Sequence, residues 1–293
     1  MHPIDQALAR SGGFLRRRDL LALGLNDDAI RRQLSAGGLI RIRHGWYAHP
    51  GSIPSEIPDA TRAVRVGGRL TGMAALSTYG VWVRESPSFE VAVPRSAHGL
   101  RSPERMRVAL AECPVGRGVR IHWDDEPIDV TSCVWRVGVM AALRAAVSQA
   151  SLEDAVIVID SCLHEKLIRE SDLPALRDSL PERCARAVEL ADGRAASGGE
   201  TAVRLRMREL GMRFDPQPKL PGVGSLDGRI GTRTFIEVDG FAAHSSPKAF
   251  ELDHSRDLLA DIWKQQVVRM TSQQVFSEWP LCLAAILTAL EDD

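Results

Sequence analysis

The sequence predicts a multidomain α/β protein: a small helical domain closed by a basic hairpin, an α/β middle domain, and a C-terminal α/β domain with acids on its strands. Three observations lead there. Short helical patterns followed by the alternating stretch LIRIRHGWYAH fill the first 50 residues. Loop-rich stretches then interrupt the chain at HPGSIPSEIPD (49–59) and ADGRAASGGE (191–200). Near the C-terminus, SLDGRI and RTFIEVDG set Asp227, Glu237 and Asp239 into strand patterns. A chain of 293 residues accommodates one large domain or two to three small ones, since domains run roughly 100 to 200 residues. The partition read from these stretches is 1–50, 51–195 and 196–293.

The front domain reads helix, helix, helix, hairpin. Residues 4–10 form a short helix, RRRDLLALG forms a second that stops at Gly24, and a third starts after Asn26. Asn26 is a good N-cap, and Asp27 and Asp28 fall in the first turn, where the helix dipole favours anions. Ala29, Ile30 and Leu34 face inward, leaving Arg31, Arg32 and Gln33 outward. In the hairpin, which turns near His44-Gly45, Leu39, Ile40, Ile42 and Trp46 take the packed side and Arg41 and Arg43 the exposed side. This order is a winged helix-turn-helix. Residues 1–49 hold eight arginines against four aspartates, a net +4 in a chain of net charge −1. A local positive patch suits duplex DNA, with Arg31, Arg32, Arg41, Arg43, Arg16 and Arg17 as the contacts.

The middle domain carries elements but no chemistry. RLTGMAALSTYGVW reads as a helix after a Thr cap, FEVAVP and VRIHWDD as strands, and MAALRAAVSQA and SLEDAVIVIDSCLHEKLI as amphipathic helices. Trp82, Trp123 and Trp135 read as core or interface anchors, and His122 as a structural histidine. Several function classes are excluded. No apolar run reaches the roughly 18 to 20 residues of a membrane span. The N-terminus lacks a secretory signal, which places the protein in the cytoplasm. Five scattered cysteines without CxxC spacing read as reduced, mostly buried thiols.

The tail opens with the helix GGETAVRLRMRELG, continues through a Pro/Gly loop into two strands, and ends helix (about 248–264), strand QVVRMT, helix (280–290). Period-two alternation puts Glu237 and Asp239 on one face of TFIEVDG and Ile236 and Val238 on the other. Asp227 lies across from them on the partner strand. Carboxylates that converge repel one another unless a cation binds them, and hard oxygen ligands select Mg²⁺ or Mn²⁺. Such an ion polarises a phosphodiester and lowers the pKa of a bound water. His244 is placed to move a proton, and Glu200 to orient a water or support the site from outside. Each acid also has an ordinary structural reading, since Asp-Gly pairs end strands and make turns.

Residues 198–280 resemble the very-short-patch-repair-like endonucleases (the DUF559 branch) of the PD-(D/E)xK superfamily. The resemblance is carried by Glu200, Asp227, Glu237-Val238-Asp239-Gly240, His244 and Arg256-Asp257. It implies a restriction-endonuclease-like α/β fold, Asp227 as principal metal ligand with Asp239 beside it, and His244 as acid/base. The superfamily's usual lysine is absent here, and Asp239 stands in its place. GGFLRRRDLLALGLNDDAIRRQLSAGGLIRIRHGWYAHP is similar to the winged helix of AbiEi-type antitoxins from type IV toxin-antitoxin systems, which implies a cognate toxin as partner. The combined expectation is a DNA-binding, metal-dependent endonuclease. The alternative is an antitoxin or transcriptional repressor with a catalytically inactive nuclease-like tail.

Overall fold

The computed structural model of the protein describes residues 3–84, 89–113, 118–124, 133–220, 224–240 and 265–291. The chain forms two compact units, Met1–Gly80 with Glu85–Gln149, and Val81–Arg84 with Ala150–Asp293. The three-part partition of the sequence divides the same chain by its loop-rich stretches and remains a proposal.

Unit one begins with α1 (Pro3–Ser11), β1 (Phe14–Arg16), α2 (Arg17–Ala22), α3 (Asp27–Ser35), β2 (Ile40–Arg43) and β3 (Trp46–Ala48). The strands form one antiparallel sheet in the order β1-β3-β2. Leu8, Leu15, Leu20, Ile30, Leu39 and Tyr47 make the core beneath it. This is the element order of a winged helix-turn-helix, with β1 added to the expected set. At three residues β1 is too short to show alternation, and both Phe14 and Leu15 are buried. Asn26 caps α3 as expected, its Oδ1 accepting the Ala29 N–H at 2.9 Å.

The wing departs from simple alternation in one respect. The register shifts between Arg41 and Arg43, so this bulge leaves Ile42 buried while Arg43 turns inward and is half-buried. Trp46 is likewise only half-buried.

The rest of unit one is α4 (Pro58–Val66), β4 (Arg69–Leu70), α5 (Gly72–Ser77), β5 (Phe89–Val93), β6 (Val119–Trp123) and α6 (Val139–Gln149). Pro58 in the first turn of α4 needs no helical donor there. Strand order is β4-β5-β6, with β5 and β6 parallel. All five residues of β5 are buried, as a central strand requires. Trp135 is buried, but Trp123 is 51% exposed. An edge strand leaves that side chain in solvent, which corrects the expectation for it. His122 has a structural setting, its Nε2 lying 2.9 Å from Oε2 of the buried Glu90.

Unit two contains α7 (Leu152–His164), α8 (Leu173–Asp178), α9 (Ala185–Glu189), α10 (Gly198–Glu209), β7 (Phe214–Pro216), β8 (Lys219–Leu220), β9 (Gly224–Ser225), β10 (Gly228–Ile230), β11 (Thr234–Asp239), β12 (Gln266–Thr271), α11 (Ser272–Ser277) and α12 (Trp279–Glu291). Its main sheet runs β12-β11-β10-β7. The pairs β7/β10 and β10/β11 are antiparallel, and β11/β12 is parallel. Ala202, Val203 and Met207 of α10 pack with Ile236, Val238 and Met270 of the sheet. Trp82 joins this core, stacked on Phe276 with ring centroids 5.4 Å apart. The helix expected over 248–264 lies outside the described residues. None of the five cysteines is in a disulfide, and Cys162, Cys184 and Cys282 are buried.

Candidate functional site

Two groups of residues are candidates for function, one in each unit. In unit one the arginines of the winged helix differ sharply in availability. Arg32 is exposed on α3 with no acidic partner among the described residues. Arg31, also exposed, reaches Asp28 at 2.6 Å, a solvated pair that is readily exchanged. Arg17 forms two bonds to Asp27, at 2.8 and 2.5 Å. Arg16 lies 4.9 Å over the Trp46 ring and is half-buried, so it braces the wing. Burial, then the charge of Arg18, lowers its pKa from the usual range. In the wing, Arg41 is exposed and leans over Tyr47 at 5.8 Å. Burial and the charge of Arg101 lower the pKa of Arg43.

In unit two the acids gather where α10 meets the sheet. Ser197 caps α10 by accepting the Glu200 N–H at 3.2 Å. Glu200 is 4% exposed, and its Oε2 accepts from Ala196 N and from Gln217 Nε2, both at 2.9 Å. Burial, with the charge of Asp227, pushes Glu200 up to about 7. Asp227 immediately precedes β10 and is fastened to β11 twice. Its N–H donates to Ile236 O at 3.1 Å, and its Oδ2 accepts from Val238 N at 2.7 Å. Burial raises its pKa while the Val238 bond opposes this. Burial also raises Glu237, opposed by Arg269, whose Nε donates to Glu237 Oε2 at 2.8 Å.

Glu237 and Asp239 alternate with buried Ile236 and Val238 along β11, and Asp239 is exposed. The charges of Asp227 and Asp239 act on Glu237, and that of Asp227 acts on Glu200. Among the described residues, no group of three or more His, Cys, Asp or Glu is arranged to hold a metal ion. His244, Arg256 and Asp257 lie outside the described residues. One participant is not legible in the sequence. Gln217 adopts φ +52° in a proline-rich turn and ties Glu200 to Ser225, whose Oγ donates to Gln217 Oε1 at 2.9 Å. Glutamine in a loop carries no pattern that would single it out.

Residues 2–50 match a family described as transcriptional regulator, AbiEi antitoxin. No curated protein matches the chain. The matched stretch coincides with the winged helix and supports a DNA-binding regulator. No helix among the described residues is long and apolar enough to cross a membrane.

Proposed function

We propose that the chain is a cytoplasmic DNA-binding transcriptional regulator of the antitoxin kind, docking on duplex DNA through α3 and the β2–β3 wing. The observation that carries this is the exposure of Arg31 and Arg32 on α3 and of Arg41 in the wing, all within the stretch that matches the antitoxin regulator family. A helix of this motif enters the major groove by its outward face while the wing follows the phosphates. The partners are therefore duplex DNA and, following the family, a cognate toxin protein. The test is a gel-shift and fluorescence-anisotropy measurement on DNA from upstream of the coding region. Arg31→Ala/Arg32→Ala should weaken specific binding by about tenfold or more, since a good side-chain contact to a base is worth roughly 1–3 kcal/mol. Unchanged affinity in that variant would remove α3 from the interface.

A second reading is favoured by the carboxylates of unit two. Besides burial, Asp227 raises Glu200, Asp239 raises Asp227, and both aspartates raise Glu237. Asp227 with Asp239 offers hard oxygens suited to Mg²⁺ or Mn²⁺, with water filling the remaining positions. A bound ion would polarise a phosphodiester and supply a water of lowered pKa. On this reading Asp227 and Asp239 hold the ion, His244 moves a proton, and Glu200 and Glu237 support the ligands. The ion pair of Glu237 with Arg269 favours a supporting role for Glu237. Incubating supercoiled plasmid with the full chain and Mg²⁺ or Mn²⁺ decides between the readings. Nicking that disappears in Asp227→Ala establishes a nuclease, whereas intact plasmid across both metals leaves a regulator with an inactive tail.

A further inference from the structure

Unit one contains a cleft of about 460 Å³ lined by Arg41, Arg43, His44, Arg101, Met106 and Arg107. The wing supplies three of these residues, while Arg101, Met106 and Arg107 lie well beyond residues 2–50. Among the described residues, none of the four arginines has a carboxylate partner. Arg43 and the segment that carries Arg101 and Arg107 are held in place. Arg43 lies across Gly67, where a Cβ would meet its guanidinium, and burial together with the charge of Arg101 lowers its pKa. The stretch 100–110 folds back on itself, with Ser102 N donating to Val108 O at 2.9 Å and Leu110 N to Leu100 O at 3.0 Å. Its base is tied to α4, since Arg101 N donates to Val66 O at 3.2 Å and Arg65 Nη1 to Pro103 O at 2.8 Å. Arg62 adds a bond to Glu104 at 2.8 Å.

Four like charges held at one cleft with no carboxylate partner among the described residues destabilise one another, and an anion removes that cost. Guanidinium groups present paired N–H donors that match the oxygens of a phosphate. We infer that this cleft is a phosphate-binding site and extends the nucleic-acid interface from the wing onto the 99–107 segment. The inference rests on the reading of residues 2–50 as the DNA-docking domain, because Arg41, Arg43 and His44 belong to both. A phosphodiester seated there would continue the track of backbone phosphates beyond the wing. The same chemistry would accept a free phosphorylated ligand, so the experiment separates the two sources.

The full chain, Arg32→Ala and Arg101→Ala/Arg107→Ala are titrated onto a labelled duplex by fluorescence anisotropy at several salt concentrations. The cleft variant should bind about 10- to 100-fold more weakly at low salt, as expected for two lost charge-assisted contacts. Its slope of log affinity against log salt should be shallower by about two, since each phosphate contact contributes roughly 0.9. Wild-type affinity and slope in this variant, alongside weakened binding by Arg32→Ala, would overturn the inference and leave the docking reading standing. If the wild type binds no duplex, that reading fails, and pyrophosphate titration followed by melting temperature decides the cleft. A rise lost in the variant supports a site for free phosphate; no rise, or an equal rise, overturns it. If the double variant does not fold, Arg107→Ala alone, at an exposed position, is scored with a slope change of about one.

Discussion

At Gly67 the chain ends α4 with φ +112°, and the space a Cβ would take is filled by the guanidinium of Arg43. Gly67→Ala therefore combines left-handed strain with displacement of a half-buried cation. The expected loss is about 1–3 kcal/mol, read as a lowered urea midpoint, and an unchanged midpoint would show that Arg43 relocates freely. A glycine after VRV is legible as a helix stop, but the arginine lying across it comes from 24 residues earlier in the chain and only the fold brings it there. Glu200 allows a second prediction. Its folded-state carboxyl sits at about 7 against an ordinary 4.5, so the folded chain holds this proton more tightly than the unfolded chain. That contribution is complete below about pH 4.5 and is lost as pH rises to about 7, on the order of 3 kcal/mol in all. Urea unfolding at pH 5 and pH 8 should show the loss in wild type and a smaller one in Glu200→Gln. Equal losses in the two proteins would refute it. The first-turn position of Glu200 was legible from its helix pattern; its burial beneath Gln217 was not.

At the scale of elements, periodicity located most of the longer helices and strands, missed α4 and short elements such as β7, β8 and β9 in the stretch read as a Pro/Gly loop, and gave no sign of polar groups buried in pairs. SLEDAVIVIDSCLH reads as an amphipathic helix, whereas α7 is buried on every face from Ala155 to Asp160, Asp160 itself at 1% exposure. Three donors converge on that carboxylate: Asp192 N at 2.6 Å, Thr201 Oγ1 at 2.9 Å and Arg204 Nη2 at 2.7 Å. Arg204 in turn donates to Leu190 O at 2.9 Å, so one buried network joins α7, α10 and the turn before it. Asp160→Ala leaves Arg204 buried without a counter-charge and should cost about 3–5 kcal/mol. Asp160→Leu/Arg204→Met should cost less than the single change, because neither charge is then stranded. A double variant as unstable as the sum of its singles would mean the two residues act independently. A helix pattern shows which face turns inward and is silent about which opposite charge waits there. The same limit applies to β11, where alternation correctly separated Ile236 and Val238 from Glu237 and Asp239. It did not indicate that Asp227 is fastened to the Val238 N–H, or that Arg269 on β12 claims Glu237.

For the whole molecule the telling quantity is where charge lies. The chain carries a formal net charge of −1, yet residues 1–49 carry +4, so attraction to DNA must be local to the winged helix and its surroundings. That concentration was legible from sequence, as was the order of elements bearing it. How each arginine is held was not, because Arg16 packs over Trp46, Arg17 pairs with Asp27 and Arg43 turns into the cleft beside Gly67. The separation predicts two kinds of binding defect. Arg41→Ala should weaken every duplex sequence alike and make the slope of log affinity against log salt shallower by about one, because a wing arginine meets phosphate and reads no base. Arg32→Ala should instead narrow the gap between specific and unrelated duplexes by roughly 1–3 kcal/mol, because an outward residue of α3 faces base edges. Anisotropy titrations of both variants on one specific and one unrelated duplex over a range of salt distinguish them. If Arg32→Ala weakened both duplexes equally and changed the slope, α3 would be lying on the backbone, and sequence reading would have to come from another element of the chain.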